Sequence, residues 1–206
     1  MKSIESRQAI EKMVYSVFPE ISIDENYILR QPETNDRDVK SIKAIYTDPN
    51  VIKFVPDDCI PKSEYGFTME TEYYRSLYMS MKSIYWFIAK KSDKSAIGTI
   101  GLPAWDRYNN KCEMSYNLHS DYHNLGIMTK AIAAVVNYCF TVMQVVRIEC
   151  QLDPSNTASQ IVLAKNGFQA DGILPKYRFY KNNSHIDVLI MSITDEKWRM
   201  IIQDMV

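Results

Sequence analysis

Hydrophobic positions recur at helical spacing through the first 81 residues and then switch to a period of two. Ile4, Ile10, Met13, Val14 and Val17 form a rough stripe that predicts a helix over 4–17, ended by Pro19. YILRQ (27–31) reads as a strand stopped by Pro32. Residues 36–47 place Val39, Ile42, Ile45 and Tyr46 on one face of a surface helix that ends before Pro49. A third helix, 63–81, opens on a Ser63 cap and repeats Phe67, Thr71, Tyr74, Leu77, Tyr78 and Met81. From residue 84 the strands IYWFIAKK (84–91) and SAIGTIGLPAW (95–105) flank a Ser92-Asp93-Lys94 turn, and CEMSYNLH (112–119) follows as the next strand. Residues 126–143 are apolar on nearly all sides, with Ala131, Ala133 and Ala134 permitting close approach, which predicts a helix buried against the sheet.

Beyond it lie a strand over 146–152, a helix over 157–165 capped from Asp153-Pro154-Ser155-Asn156 and stopped at Asn166-Gly167, and strands over 169–180 and 185–193 joined by a turn at 181–184. A short final helix carries Trp198, Ile201 and Ile202. Three hairpin-connected strands, a helix, and a further strand predict an α/β (mixed α+β) layer protein. Its central sheet has about seven strands, at least one parallel pair made by the crossover helix 126–143, and helices on both faces.

The length of 206 residues suits one domain, and no repeat, linker or low-complexity segment divides it. A net charge of −1 with no run of like charges argues against nucleic acid as a partner. The N-terminus carries Glu5 and Glu11 where a signal peptide needs apolar residues, and no segment approaches a membrane span, so the expected setting is cytoplasmic, with no membrane partner. Cys59, Cys112, Cys139 and Cys150 form no C-x-x-C pair and make no metal-binding spacing with His119, His123 and His185, which predicts reduced thiols and no metal.

Candidate chemistry concentrates in Glu113–Ala131, where a strand runs through a polar loop into a helix that starts at Gly126. Backbone N–H groups without helical partners and the positive end of the helix dipole meet at such a start, which suits an anion such as phosphate. Lys130, in the first turn, opposes that dipole unless it faces solvent or a bound anion.

This stretch resembles the GNAT superfamily of N-acetyltransferases, and within it the RimJ/RimL-like branch. Glu113, Met114, Tyr116, Leu118, Tyr122, Gly126, Met128, Thr129 and Ala131 match the branch motif without a gap, and its closing Thr-Glu-Ala reads Thr129-Lys130-Ala131 here. A second motif is met by Asn156, Ser159, Lys165, Gly167 and Phe168. The resemblance covers roughly 27–193 as a single acetyltransferase domain, leaving a helical extension over 1–25 and a C-terminal helix over 194–206.

It implies acetyl-CoA as co-substrate, with the pyrophosphate on backbone amides of His123, Asn124, Leu125, Gly126, Ile127 and Met128, next to Thr129. Pantetheine would bond along Tyr116, Asn117 and Leu118 in a splay between strands 112–119 and 146–152, with Asn156, Ser159 and Lys165 completing the cofactor set. A protonated amine must lose a proton before it attacks a thioester, and Glu113 is the candidate base, its plainer role being a carboxylate paired with a neighbouring Arg or Lys. The resemblance places Asn156 or Ser159 to give the departing thiolate a proton or a hydrogen bond, with Tyr122 and Tyr177 as substitutes. Asn156 is equally readable as a helix cap, and His119 and His123 as surface polar residues.

His123, Asn124 and Leu125 stand where the family's loop carries amide or basic side chains and a glycine, so the loop has lost charge. The expected activity is direct acetyl transfer to a primary amine, on a protein N-terminus or a small molecule. The alternative is a degenerate member that binds CoA or a protein partner without catalysis. The acceptor would be chosen by helices 36–47 and 63–81 and strands 169–193, where Asp57, Asp58, Glu64, Glu70 and Glu72 could attract a cation. The N-terminal helix and the Trp198 tail are the segments a homodimer contact would use.

Overall fold

The computed structural model describes residues 4–180 and 184–204. In chain order the elements are α1 (Ile4–Val14), β1 (Ile21–Ser22), β2 (Tyr27–Arg30), α2 (Asp36–Thr47), α3 (Pro49–Ile52), α4 (Glu64–Met79), β3 (Ile84–Lys90), β4 (Ala96–Asp106) and β5 (Lys111–Leu118). They continue as α5 (Ile127–Thr141), β6 (Arg147–Leu152), α6 (Thr157–Lys165), β7 (Gln169–Tyr180), β8 (Ser184–Thr194) and α7 (Asp195–Gln203). The strands form one sheet in the order β1-β2-β3-β4-β5-β6-β8-β7. Among the described residues only β5 and β6 pair in parallel, joined by the crossover through α5. The eighth strand is β1, whose two residues are too few to show a period. The turn expected at 181–184 has its first three residues outside the described ones.

Helices cover both faces. On β3, Ile84, Trp86 and Ile88 enter the core beneath α5, while Tyr85 and Phe87 enter a second core with Ile42 and Ile45 of α2 and Phe67, Tyr74 and Leu77 of α4. Burial on both sides explains why this strand is an almost unbroken apolar run. In α5 the buried residues Ile127, Met128, Ala131, Ile132, Val135 and Val136 leave a narrow exposed stripe of Lys130, Ala133 and Asn137. Ala133 therefore faces solvent and takes no part in the expected close approach.

At the ends of the chain the stripe is narrower than its spacing predicts. Helix α1 stops at Val14, which is buried and whose carbonyl accepts from the Tyr78 hydroxyl (3.3 Å), whereas Met13 and Val17 are exposed. In α7, Trp198 packs on Phe140 while Ile202 is exposed. A buried Arg30–Asp38 pair ties β2 to α2: the guanidinium donates to both carboxylate oxygens, and Asp38 also accepts from the Glu33 N–H (2.7 Å). Such a pair is costly to break from one side, since the remaining charge is left buried.

Candidate active site

Strand β5 keeps its ladder to β4 as far as Leu118, and β6 keeps its ladder to β8 as far as Leu152. Their pairing with each other ends after Lys111↔Arg147, Cys112↔Ile148 and Glu113↔Glu149. From Met114 onward the two strands splay, as the sequence reading expects, and one edge of β5 over Tyr116–Leu118 has no ladder partner. On the α5 side of the gap, the Tyr116 hydroxyl reaches the Ser159 carbonyl at 3.5 Å.

The gap leads to the start of α5. A short 3-10 turn over Ser120–Tyr122 is pinned by Asp48, whose carboxylate accepts from the Ser120 N–H (2.7 Å) and caps α3 through the Asn50 N–H (2.9 Å). Burial alone would raise the Asp48 pKa, but these bonds and nearby His119 hold it down to about 2. His123 spends its N–H on the Ser120 carbonyl and holds the Leu118 carbonyl near its ring Nε2 (2.8 Å). The chain then turns through two left-handed residues, Asn124 (φ 61°) and Gly126 (φ 75°). A Cβ at Gly126 would meet nothing within 4 Å, so glycine serves conformation there rather than close packing. No side chain caps α5, and none of the N–H groups of residues 124–129 has an acceptor among the described residues. The free N–H groups therefore run over 124–129, whereas the His123 N–H, counted in the 123–128 set expected for the pyrophosphate, is taken by Ser120. Asparagine tolerates positive φ better than most residues, and Asn124 takes up a left-handed turn at the position where the resembled motif has glycine.

The opposite sheet face presents Glu113 and Ser115 of β5 beside Tyr85 of β3. A Cβ on Gly101 would lie 2.3 Å from the Tyr85 ring, so this glycine lets the ring lie across β4, where its hydroxyl meets Ser115 Oγ at 2.9 Å. Tyr74 stacks on Tyr85 (4.5 Å between centroids) and shares a hydrogen with Tyr46 (2.6 Å). Burial raises the Glu70 carboxyl beside Tyr74.

Glu113 is half-buried and accepts from Gln151 Nε2 (3.1 Å), whose own Oε1 accepts from Arg178 (2.6 Å). The neighbouring cations are engaged elsewhere, Lys111 with Glu149 (2.6 Å) and Arg147 with Asp171 and Glu149. Burial pushes the Glu113 carboxyl upward, Glu149 adds to the shift, and Arg178 and Lys111 oppose it. Among the described residues it forms no ion pair, so the plainer role of a paired carboxylate does not describe it. Its carboxyl instead bonds an uncharged amide, and its burial favours the neutral form.

Of the remaining candidates, Asn156 caps α6 by accepting from the Ser159 N–H (3.2 Å), and Ser159 lies half-buried in that helix's first turn. Lys165 is exposed at the far end, about 9 Å of helix rise beyond Ser159. Tyr122 is half-buried against the His119 ring, and Tyr177 is exposed on β7. Cys112, Cys139 and Cys150 are buried and unpaired, and burial pushes the Cys150 thiol upward, away from the reactive thiolate. Glu64 pairs with Lys43, and Asp57, Asp58 and Glu72 are exposed. No group of three His, Cys, Asp or Glu side chains suited to a metal occurs among the described residues, and none of their helices is long and apolar enough to cross a membrane. Sequence reasoning missed Asp48, Tyr85, Ser115 and Gln151. Only Asp48 carries a local signal, the Asp-Pro pair that starts a helix.

The profile of the acetyltransferase (GNAT) domain family matches residues 26–169. Uncharacterized N-acetyltransferase YoaA of Bacillus subtilis (strain 168) is 29% identical over 177 residues, 86% of this chain and 97% of its own. RimL, a ribosomal L7/L12 alpha-N-protein acetyltransferase, superposes with a TM-score of 0.75 at 16% identity, covering 85% of this chain and 94% of that one. The microcin C7 self-immunity acetyltransferase MccE, solved with acetyl-CoA and AMP, gives a TM-score of 0.72 at 20% identity, covering 84% and 94%. The splayed strands, the uncapped helix start and the profile match over most of the chain agree: this protein belongs to the GNAT acetyltransferase family.

Proposed function

We propose that the protein transfers an acetyl group from acetyl-CoA directly to a primary amine, either a protein N-terminus or a small amine. The observation that carries the reading is the coincidence of the β5/β6 splay with the free N–H groups of residues 124–129. Those N–H groups and the α5 dipole hold the diphosphate, and the open edge of β5 at Tyr116–Leu118 lines the pantetheine. Glu113, through a water, accepts the proton that the ammonium must shed. The free amine nitrogen then bonds to the thioester carbon as the carbon–sulfur bond breaks, and the second proton that this nitrogen sheds passes to the sulfur, relayed by the Ser159 hydroxyl or given directly while Asn156 donates a hydrogen bond to the thiolate. No covalent acyl-enzyme is needed, in keeping with the burial of Cys112 and Cys150, the cysteines on the splayed strands. The acceptor reaches the thioester from the face of Tyr85, Ser115 and Glu70. RimL's named activity favours a protein N-terminus.

The test is a melting curve with and without acetyl-CoA, with ADP as control, followed by transfer assays on N-terminal peptides and small amines. A ligand at 100 times its Kd adds about 2.7 kcal/mol, a shift of roughly 5–10 °C for a domain of this size. A shift with acetyl-CoA and turnover on an amine support the reading. A shift without turnover on any amine would leave a CoA-binding module in its place, and no shift would overturn the donor site.

A further inference from the structure

Lys130 is the only lysine or arginine between Lys111 and Arg147. It stands in the first turn of α5, where a cation opposes the helix dipole, at a position that reads glutamate in the motif this stretch otherwise follows. Side chains on a helix lean toward its N-terminus, so the Lys130 stem runs toward the start of α5, where its ammonium meets Asp24 at the edge of a cleft that Glu25, Leu125 and Ile127 also line.

Its position is held from outside the helix. Asp24, in the β1–β2 turn, uses Oδ1 to accept from the Asn26 and Tyr27 N–H groups (2.9 and 3.0 Å), which leaves Oδ2 directed at Lys130 Nζ (2.8 Å). The Lys130 ammonium is the chief influence holding the Asp24 carboxyl below its ordinary value. The two residues border an open cleft of about 420 Å3 that Leu125 and Ile127 continue into the helix start. A carboxylate thus occupies, through Lys130, the neighbourhood in which an incoming anion belongs. The loop itself, His123-Asn124-Leu125, offers no permanent cation.

We propose that Lys130 is the cation that meets the phosphate groups of coenzyme A in this protein, and that Asp24 stores it there and competes with the cofactor for it. This rests on the donor reading above. Binding exchanges one ion pair for another: Nζ leaves Asp24 Oδ2 for a phosphate oxygen, and Asp24 keeps its two backbone N–H bonds. Asp24 therefore lowers affinity while Lys130 raises it, and the sequence change that removed charge from the loop is offset four residues after Gly126.

Calorimetric titration of acetyl-CoA into the full chain tests this with wild type, K130A, D24N and the double variant. K130A should bind about tenfold more weakly, the loss expected for one charge-assisted bond. D24N should bind tighter, by up to about fivefold, and that gain should disappear in the double variant. The wild-type affinity should also fall more steeply with salt than that of K130A. Wild-type affinity in K130A, or weaker binding in D24N, would overturn the proposal while leaving the donor site intact. No binding by wild type would overturn the donor site itself. Lys130 is exposed and Asp24 half-buried, the amide oxygen that D24N introduces can still accept the two backbone N–H groups, and melting temperatures of the variants within a few degrees of wild type confirm that the fold is retained.

Discussion

Helices α2, α4, α6 and α7 each begin on a side chain that accepts a first-turn N–H: Asn35 from Asp38, Ser63 from Gly66, Asn156 from Ser159 and Thr194 from Lys197. Helix α5, the most apolar and most deeply buried, begins on Gly126 with no such cap. A cap is worth about 1 kcal/mol, and α5 does without it because its apolar faces are covered by the sheet. The strands repeat the contrast, since β6 is paired along its whole length on the β8 side and over only three residues on the β5 side. Closed termini and ladders hold the fold together. The site lies where backbone groups are left open at two neighbouring places, and Glu113 stands on the last closed rung between them.

The largest expected effect falls on that rung. Glu113→Gln should lower kcat by about 10²- to 10⁴-fold with acetyl-CoA affinity retained, which steady-state kinetics and titration separate. In the proposed role Glu113 works ionised, and burial raises its pKa, so activity should fall as pH drops through a value above the ordinary glutamate range, and the variant should lose that acid limb. Equal kcat in the variant would place Glu113 among the structural groups.

Asp48→Asn probes the closed contact that holds the open loop. A carboxyl held at about 2 contributes stability above its unfolded value of 3.8 and loses it as pH falls toward 2. The contribution is about 2 kcal/mol at neutral pH. The variant should melt several degrees lower at pH 7, and the difference should vanish near pH 2.

Gly126→Ala tests whether the open start depends on backbone shape alone. The left-handed residue should cost about 1–2 kcal/mol, read as weaker acetyl-CoA binding or lower stability, and Gly126→Asn should cost less. The smallest effect separates the two roles of Asn156. Replacement by alanine should cost about 1 kcal/mol of stability, while aspartate keeps the cap. A stable N156D with reduced turnover assigns the side chain to the reaction, and a fully active one leaves it as a cap.

The buried stripe of α4 and the caps at Ser63 and Asn156 were legible in the chain because each is written within three or four residues. Gly126 and Asn124 were legible as turn residues for the same reason, since a left-handed φ is a property of one residue. The misses came where burial depends on what lies opposite. Met13, Val17, Met81, Ala133 and Ile202 fit their apolar patterns yet face solvent: α1 stops at Val14 before Val17, α4 stops at Met79 with Met81 in a left-handed turn beyond it, and Met13, Ala133 and Ile202 lie on the outer sides of their helices.

By itself, then, the sequence determined the order and type of nearly all elements and a parallel pair made by the crossover helix 126–143, and it pointed to 113–131 as the candidate segment for chemistry. Only the tertiary structure decided the partners that make the segment a site: Asp48 with Ser120, 72 residues apart, Gln151 with Glu113, 38 apart, and Asp24 with Lys130, 106 apart. Periodicity specifies which face of an element is buried. Which residue meets it across the sheet follows from strand order and register, where a slip of one residue turns every side chain to the other face.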